Sequence, residues 1–327
     1  MSTWSSQMPH KAKTSHMQDW SEGISLIVPT YKRPHGIKLA LSSLMDQDYM
    51  GHNVEIIVPD NDPKASARDF VTDFAKTSAH YIHYIHVPEP GVSNARNGAM
   101  AVARGRFIIF LDDDMEAGKD WVSTLVRISK AHKAAISCVT IEARMPNPDD
   151  AIEQRMQPLF STFGPDEETL ITHYIGAGGS LIDRSLITLP TPVFDPKMNE
   201  VGGEDDKLFD YLLSQGAKIA WSHKARAYED VPPKRANAAY IWKRHFAFGQ
   251  GPTQSEADKG WAGLPGIVKW VSVGIIQTLM RAPKYWVLKA LKHPDYITAY
   301  AMLAESWGKI WYRDGFSPKL YGENADA

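Results

Sequence analysis

Phe107-Ile-Ile-Phe-Leu-Asp-Asp-Asp114 is the stretch on which the reading of this chain turns. From Arg106 to Leu111 it is apolar and rich in β-branched and aromatic residues, which predicts a short buried strand. Asp112, Asp113 and Asp114 then fall where that strand must end. Adjacent carboxylates repel unless a cation or hydrogen-bond donors offset them. Taken alone, the triplet reads first as a solvated acidic turn ahead of a helix. Beyond the carboxyl end of a strand in an open α/β sheet, however, lies the place where ligands bind. A hard divalent cation that keeps several waters and bridges phosphate oxygens suits such a cluster.

The preceding segments supply that sheet. Ile24 to Pro29 reads as a first buried strand, and Pro34 opens a helix through about Asp46, with Ile37, Leu41, Leu44 and Met45 near helical spacing. Val54 to Val58 is a second strand, ended by the turn cluster Pro59-Asp-Asn-Asp-Pro63. A helix over Lys64 to Thr77 leads to a strand at Tyr81 to Val87, and a small-residue helix over Asn94 to Arg104 feeds the acidic stretch. Strands alternating with helices at this spacing predict a mostly parallel sheet with right-handed crossovers. The polar turns at 30–33, 60–62 and 112–114 then share one rim, a nucleotide-site geometry without a glycine-rich dinucleotide or Walker fingerprint.

The second half is less regular. A helix is expected over Trp121 to His132, a strand over Ile136 to Glu142 and a loop at Pro146 to Asp150. Ile175 to Ile182 contains Gly176, Gly178 and Gly179, which let the backbone approach something closely. Gly202-Gly-Glu-Asp-Asp206 begins a helix through Ser214, stopped by Gly216. Short strands follow at Lys218 to Trp221 and Ala225 to Glu229, then a break at Val231-Pro-Pro233 and a basic, aromatic helix over Arg235 to Phe248.

The totals narrow the classes. At 327 residues the chain fits one large α/β unit with an appendage, and 43% hydrophobic residues suffice for a full core. A net charge of −2 argues against a nucleic-acid partner. The single cysteine, Cys138, excludes an internal disulfide framework and reads as a core residue, compatible with the cytosol. Residues 1–22 read as a disordered polar leader, and no stretch reaches the roughly 18 apolar residues of a membrane span.

Four elements in order carry a resemblance: Val28-Pro-Thr-Tyr-Lys-Arg-Pro34, Val58-Pro-Asp-Asn61, Ala95-Arg-Asn97 ahead of Phe110-Leu-Asp-Asp-Asp114, and Gly203-Glu-Asp205. From about Ile24 to Gly249 the chain resembles the inverting family-2 nucleotide-sugar glycosyltransferases of the GT-A fold. The run Ala227-Tyr-Glu-Asp-Val-Pro-Pro-Lys-Arg235 is similar to the succinoglycan and exopolysaccharide branch. The resemblance implies an α/β GT-A fold over 23–250, with a Rossmann-like nucleotide-binding sheet and an acceptor-side half. A helical C-terminal region over 251–327 would follow. It also implies a UDP-sugar donor, glucose favoured, and a glycan or polyprenyl-diphosphate oligosaccharide acceptor. The metal would be Mg²⁺ or Mn²⁺. The Gln-x-x-Arg-Trp signature of processive members is absent, which implies one sugar added per acceptor.

Carried over residue by residue, the resemblance places Pro29, Tyr31 and Arg33 beside the nucleotide, and Asp60 as acceptor from the uracil N–H. Arg96 would face the donor, Asp112 or Asp113 the ribose or sugar, and Asp114 the metal. Glu229 stands where many relatives have a metal-site histidine. Asp205 would be the base that deprotonates the acceptor hydroxyl, and a helix amino terminus favours its ionised form. Duller readings stand beside these: Glu204 and Asp205 as a helix start, Arg96 as a surface charge, Tyr31 as a turn aromatic. Arg244, His245 and His223 read as structural or solvated. Two other functions are a sugar-phosphate nucleotidyltransferase and a catalytically silent sugar-nucleotide-binding module. The first lacks its glycine-rich basic loop here. Finally, Trp261 to about Trp311 interleaves Trp270, Trp286, Trp307 and Trp311 with lysines, and reads either as a helical subdomain packed on the sheet or as a dock for an anionic membrane. The latter predicts a cytoplasmic protein held peripherally on the inner face of the plasma membrane.

Overall fold

The computed structural model describes residues 19–173, 176–199 and 202–318. Most of the expected leader, Ile175 and the last residues of the C-terminal region lie outside the described residues. The chain runs β1 (Ile24–Ile27), α1 (Pro34–Met45), β2 (Val54–Asp60), α2 (Arg68–Thr77), β3 (Tyr81–His86), α3 (Val92–Val102) and β4 (Phe107–Phe110). Then come β5 (Met115–Ala117), α4 (Trp121–His132), β6 (Ile136–Arg144), α5 (Ala151–Phe160), β7 (Thr169–Ile171) and β8 (Ser180–Asp183). α6 (Glu204–Ser214), β9 (Ile219–Asp230), α7 (Ala238–Ala257), α8 (Leu264–Ala290) and α9 (Tyr296–Ile310) complete it.

One sheet in the order β3-β2-β1-β4-β8-β6-β9-β5 organises these elements, with β7 added against β9. The four strands β3, β2, β1 and β4 are parallel, as their alternation with helices predicts. Their residues point alternately into two cores. Leu26, Ile56 and Ile109 meet Ile37, Leu41 and Leu125 on one face. Ile27, Ile57, Ile108 and Phe110 meet Ala99, Leu208, Phe209 and Leu212 on the other. Burial on both faces is why β1, β4 and the middle of β2 are nearly continuous apolar runs, whereas β3, at the sheet edge, is buried only at Ile82. β8 and β5 run antiparallel to their neighbours, so the sheet is mixed beyond β4.

Several boundaries differ from expectation. The strands expected at 218–221 and 225–229 are one strand, β9, whose register against β6 shifts between Val139 and Thr140 so that residues between Ser222 and Arg226 bulge out. The expected loop ends at Asp150, whose carboxylate accepts from the N–H groups of Ile152 and Glu153 and caps α5, a helix the pattern missed because Pro158 lies inside it. The helix expected from Arg235 starts at Ala238, because Asn237 caps it through the Tyr240 N–H.

α7 runs without a break through residue 250, and α9 packs between it and α8. The α7–α9 crossing is held close by glycine: a Cβ on Gly308 would lie 2.1 Å from the Phe246 carbonyl oxygen, and one on Gly249 would lie 2.2 Å from that of Glu305. Because backbone cannot yield as a side-chain end can, Gly308→Ala is expected to cost about 1–3 kcal/mol in chemical denaturation. An unchanged midpoint would mean that the helices are free to separate. α8 also corrects one expectation. Among the described residues it is, with the turn before it, the one helix long and apolar enough to cross a membrane by length and composition. Lys269 interrupts the apolar sequence yet leaves too few charges to disqualify it.

Candidate active site

The carboxyl ends of β1, β2 and β4 meet on one rim. Beyond β1, Thr30 is bridged to Asp60, and Lys32 takes a left-handed conformation with φ of 55° that turns the chain toward α1. This brings Thr30 and Arg33 onto the acidic triplet. Thr30 Oγ1 donates to Asp113 Oδ2 at 2.8 Å, and Arg33 Nη1 donates to Asp113 Oδ1 at 2.8 Å and Asp114 Oδ2 at 2.7 Å. Burial pushes the Asp113 carboxyl up to about 6 despite Arg33. Both its oxygens are engaged by protein donors, so Asp113 holds the rim together. Tyr31 and Pro29 are half-buried beside it.

Asp112 turns the other way. Its Oδ1 accepts from Arg96 Nη2 at 3.1 Å, while a third of its side chain stays open to solvent. Arg96 is only 4% exposed, donates from Nη1 to Glu204 Oε1 at 2.6 Å, and lies near the rings of Phe110 and Phe194. Burial opposes its charge, but Asp112 and Glu204 hold the guanidinium above its ordinary range. Arg96 is thus an internal cation, not a surface one. The glycines upstream of β8 show what they approach: a Cβ on Gly178 would sit 2.3 Å from Asp112 Oδ2.

Asp205 lies in the first turn of α6, after Gly203 with φ of 82°. Its Oδ2 accepts from the Ala177 N–H at 3.0 Å, and Oδ1 from the Asp206 N–H. Glu204, buried and paired with Arg96, anchors the helix start, which leaves Asp205 as the half-buried carboxylate of the turn. The Gly-Gly turn therefore points two acids in different directions, one inward as an anchor and one toward Asp112 and the β8 loop.

Residues 25–188 match glycosyl transferase family 2. The succinoglycan biosynthesis protein ExoM of Rhizobium meliloti is 31% identical over 72% of this chain and 76% of its own length. The chain belongs to family 2. The Escherichia coli UDP-Glc:alpha-D-GlcNAc-diphosphoundecaprenol beta-1,3-glucosyltransferase WfgD is 35% identical over 28% of this chain and 34% of its own length. Among solved structures, S. aureus TarS 1-349 superposes with a TM-score of 0.50 at 16% identity, covering 90% of this chain and 92% of that one. The fold is accordingly GT-A, and the protein is a glycosyltransferase.

Two placements in this glycosyltransferase refine the expected site. Asp60 is fully buried, and its oxygens accept from the N–H groups of Asp62 and Ala67 and from the Tyr84 hydroxyl. It ties down the loop after β2. Glu229 pairs with Met115 across β9 and β5, and the Asp230 N–H donates to the Asp114 carbonyl, so Glu229 stands beside Asp114. Burial, with the charge of Asp114 behind it, pushes the Glu229 carboxyl up to about 7, and Arg244 and Arg235 pull against that rise. Arg244, set aside on sequence grounds, is therefore part of the site's electrostatics. Among the described residues no three His, Cys, Asp or Glu side chains converge as a ready-made metal cage. Two carboxylates that repel each other in a sheltered site nonetheless fit a Mg²⁺-like ion, which takes one or two carboxylates and completes its shell with water and substrate phosphate. Thr30 and Glu204 were missed as partners. The only sequence signal for either was its adjacency to a chosen residue.

Proposed function

We propose that this glycosyltransferase moves one sugar from a UDP-sugar, glucose favoured, to a lipid-linked oligosaccharide in cell-surface polysaccharide assembly, with inversion. The observation that carries the chemistry is the Asp205 carboxylate, fixed by the Ala177 N–H beside the Arg96–Asp112 pair. The names of ExoM and WfgD, a succinoglycan biosynthesis protein and a UDP-glucose-dependent transferase to a diphosphoundecaprenol acceptor, support the class of donor and acceptor.

In this reading Asp205 takes the proton of the acceptor hydroxyl as its oxygen attacks the anomeric carbon. The bond from that carbon to the UDP oxygen breaks on the opposite face, and UDP leaves. Asp112, with an oxygen open to the cleft, accepts from a donor hydroxyl while Arg96 fixes its orientation. Pro29 and Tyr31 border the nucleotide on the loop after β1, which Thr30 bridges to Asp60 at the end of β2. Arg33 lies on the diphosphate side, bound to Asp113 and Asp114. Asp114 and Glu229 would hold Mg²⁺ or Mn²⁺, which offsets charge developing on the departing diphosphate.

The test is UDP release from a panel of sugar nucleotides with Mg²⁺ or Mn²⁺, with and without excess chelator. UDP-glucose is expected to be consumed only with the cation, and Asp114→Ala should weaken UDP binding only when the cation is present. Full activity in chelator would remove the metal from the reading. Binding of UDP-sugar without any release, acceptor extracts included, would favour the silent module instead.

A further inference from the structure

Among the described residues, none covers one face of α8. Trp261 is 89% exposed, Leu279 71% and Trp286 61%, and Val268, Ile275 and Met280 are exposed with them. Val268, Ile275, Leu279 and Trp286 recur along one helical stripe. The opposite side is occupied: Gly274 lies against the Ser306 carbonyl, and the Tyr285 ring stacks on that of Tyr300. Charge singles out the partner. Residues 259–294 contain no Asp or Glu, while Lys269, Arg281, Lys284, Lys289 and Lys292 fall among their apolar side chains. Beside the stripe, between α8 and α9, lies a cleft of about 440 Å³ lined by Gln277, Met280, Arg281, Lys284, Ala299 and Met302. An interface with a second copy of this chain would bring that all-basic surface against itself.

We propose that the exposed face of α8 docks in the plane of a bilayer containing anionic phospholipid. Apolar side chains enter the headgroup boundary, indoles occupy the interfacial layer, and the lysines reach phosphate by snorkelling. Packing along α9 keeps the helix parallel to the surface, since a spanning α8 would have to leave its bundle. The dock is coupled to the active site. Ile297 and Ala301 of α9 share a core cluster with Ala143 and Val231, which flank the Arg144–Asp230 ion pair next to Glu229. A surface-bound α8 therefore holds the cleft at a set height over the membrane. This inference stands apart from the donor and acceptor reading, because its readout is binding and not transfer.

The experiment is flotation of the full-length protein with phosphatidylcholine vesicles, alone or with about 30% phosphatidylglycerol, at low and high salt. The protein should float with the anionic vesicles, stay behind with the neutral ones, and release as salt rises. The double variant Leu279→Glu, Trp286→Glu should weaken vesicle binding by about tenfold or more, and Lys269→Glu, Lys284→Glu should also weaken it. These side chains point to solvent, so thermal melting and UDP release should be unchanged in both. The proposal fails if the protein stays with the soluble fraction at low salt, or if both double variants float undiminished. It also fails if mass measurement shows a dimer that Leu279→Glu dissolves, which would assign the face to a second copy. Resistance to alkaline carbonate extraction would make α8 a span and overturn the in-plane dock.

Discussion

An Asp205→Asn enzyme is expected to bind UDP-sugar normally and to turn it over about 10²–10⁴ times more slowly. The substitution is nearly isosteric. Asn can still accept the Ala177 N–H through its carbonyl oxygen, so the start of α6 and the β8 loop keep their junction. What is lost is basicity, and the loss should fall on kcat with the donor KM little changed. Glu204 cannot substitute, because it is buried and committed to Arg96. Steady-state rates with a saturating acceptor decide the matter: an Asn variant within about threefold of the parent would place the base elsewhere.

Arg96→Met should destabilise the protein by about 3–5 kcal/mol in chemical denaturation, since removing one partner of a buried pair strands the other. Arg96 is almost wholly enclosed, and without it Glu204 is left with Asp112 and Asp205 as neighbours. Burial already raises the Glu204 carboxyl in the parent, with Arg96 opposing that rise. In the variant the opposition is gone, so folded Glu204 binds its proton more tightly than the unfolded chain does. Stability then falls as pH rises, and the deficit should be larger at about pH 8 than at about pH 5.5. Adding Glu204→Gln to Arg96→Met should recover much of the loss. If Arg96→Met costs under about 1 kcal/mol at either pH, the pair is solvated and Arg96 is the surface charge of the simpler reading.

How much of this was legible in the sequence depended on the range of the interactions concerned. The parallel half was legible because β1, β2 and β4 are buried on both faces, and that writes itself as a local apolar run ended by polar residues. α4 was placed to the residue for a similar reason, its buried stripe being a local pattern. α5 was not, because a side-chain cap outweighed an internal proline. The bulge in β9 was hidden as well, since only its register against β6 shows that two short runs are one strand.

The site divides the same way. Asp112, Asp113, Asp114 and Asp205 stood out because carboxylates at a strand end and a helix start are costly locally and ask for a reason. Their division of labour was not written locally. Asp113 became a tie because Thr30 and Arg33, far upstream, fold onto it, while Asp112 stayed open because Arg96 pulls it the other way. Asp60 turned inward for the same kind of reason: Tyr84 on β3 supplies one of its donors. The sequence by itself determined the α/β alternation, the acidic rim and the basic aromatic C-terminal helices, since each is a periodicity or a cluster within a short window. Only the tertiary structure decided which carboxylate is paired, which is buried and which is open. Hydrogen bonding and desolvation act between atoms in contact, and these contacts join residues distant in the chain.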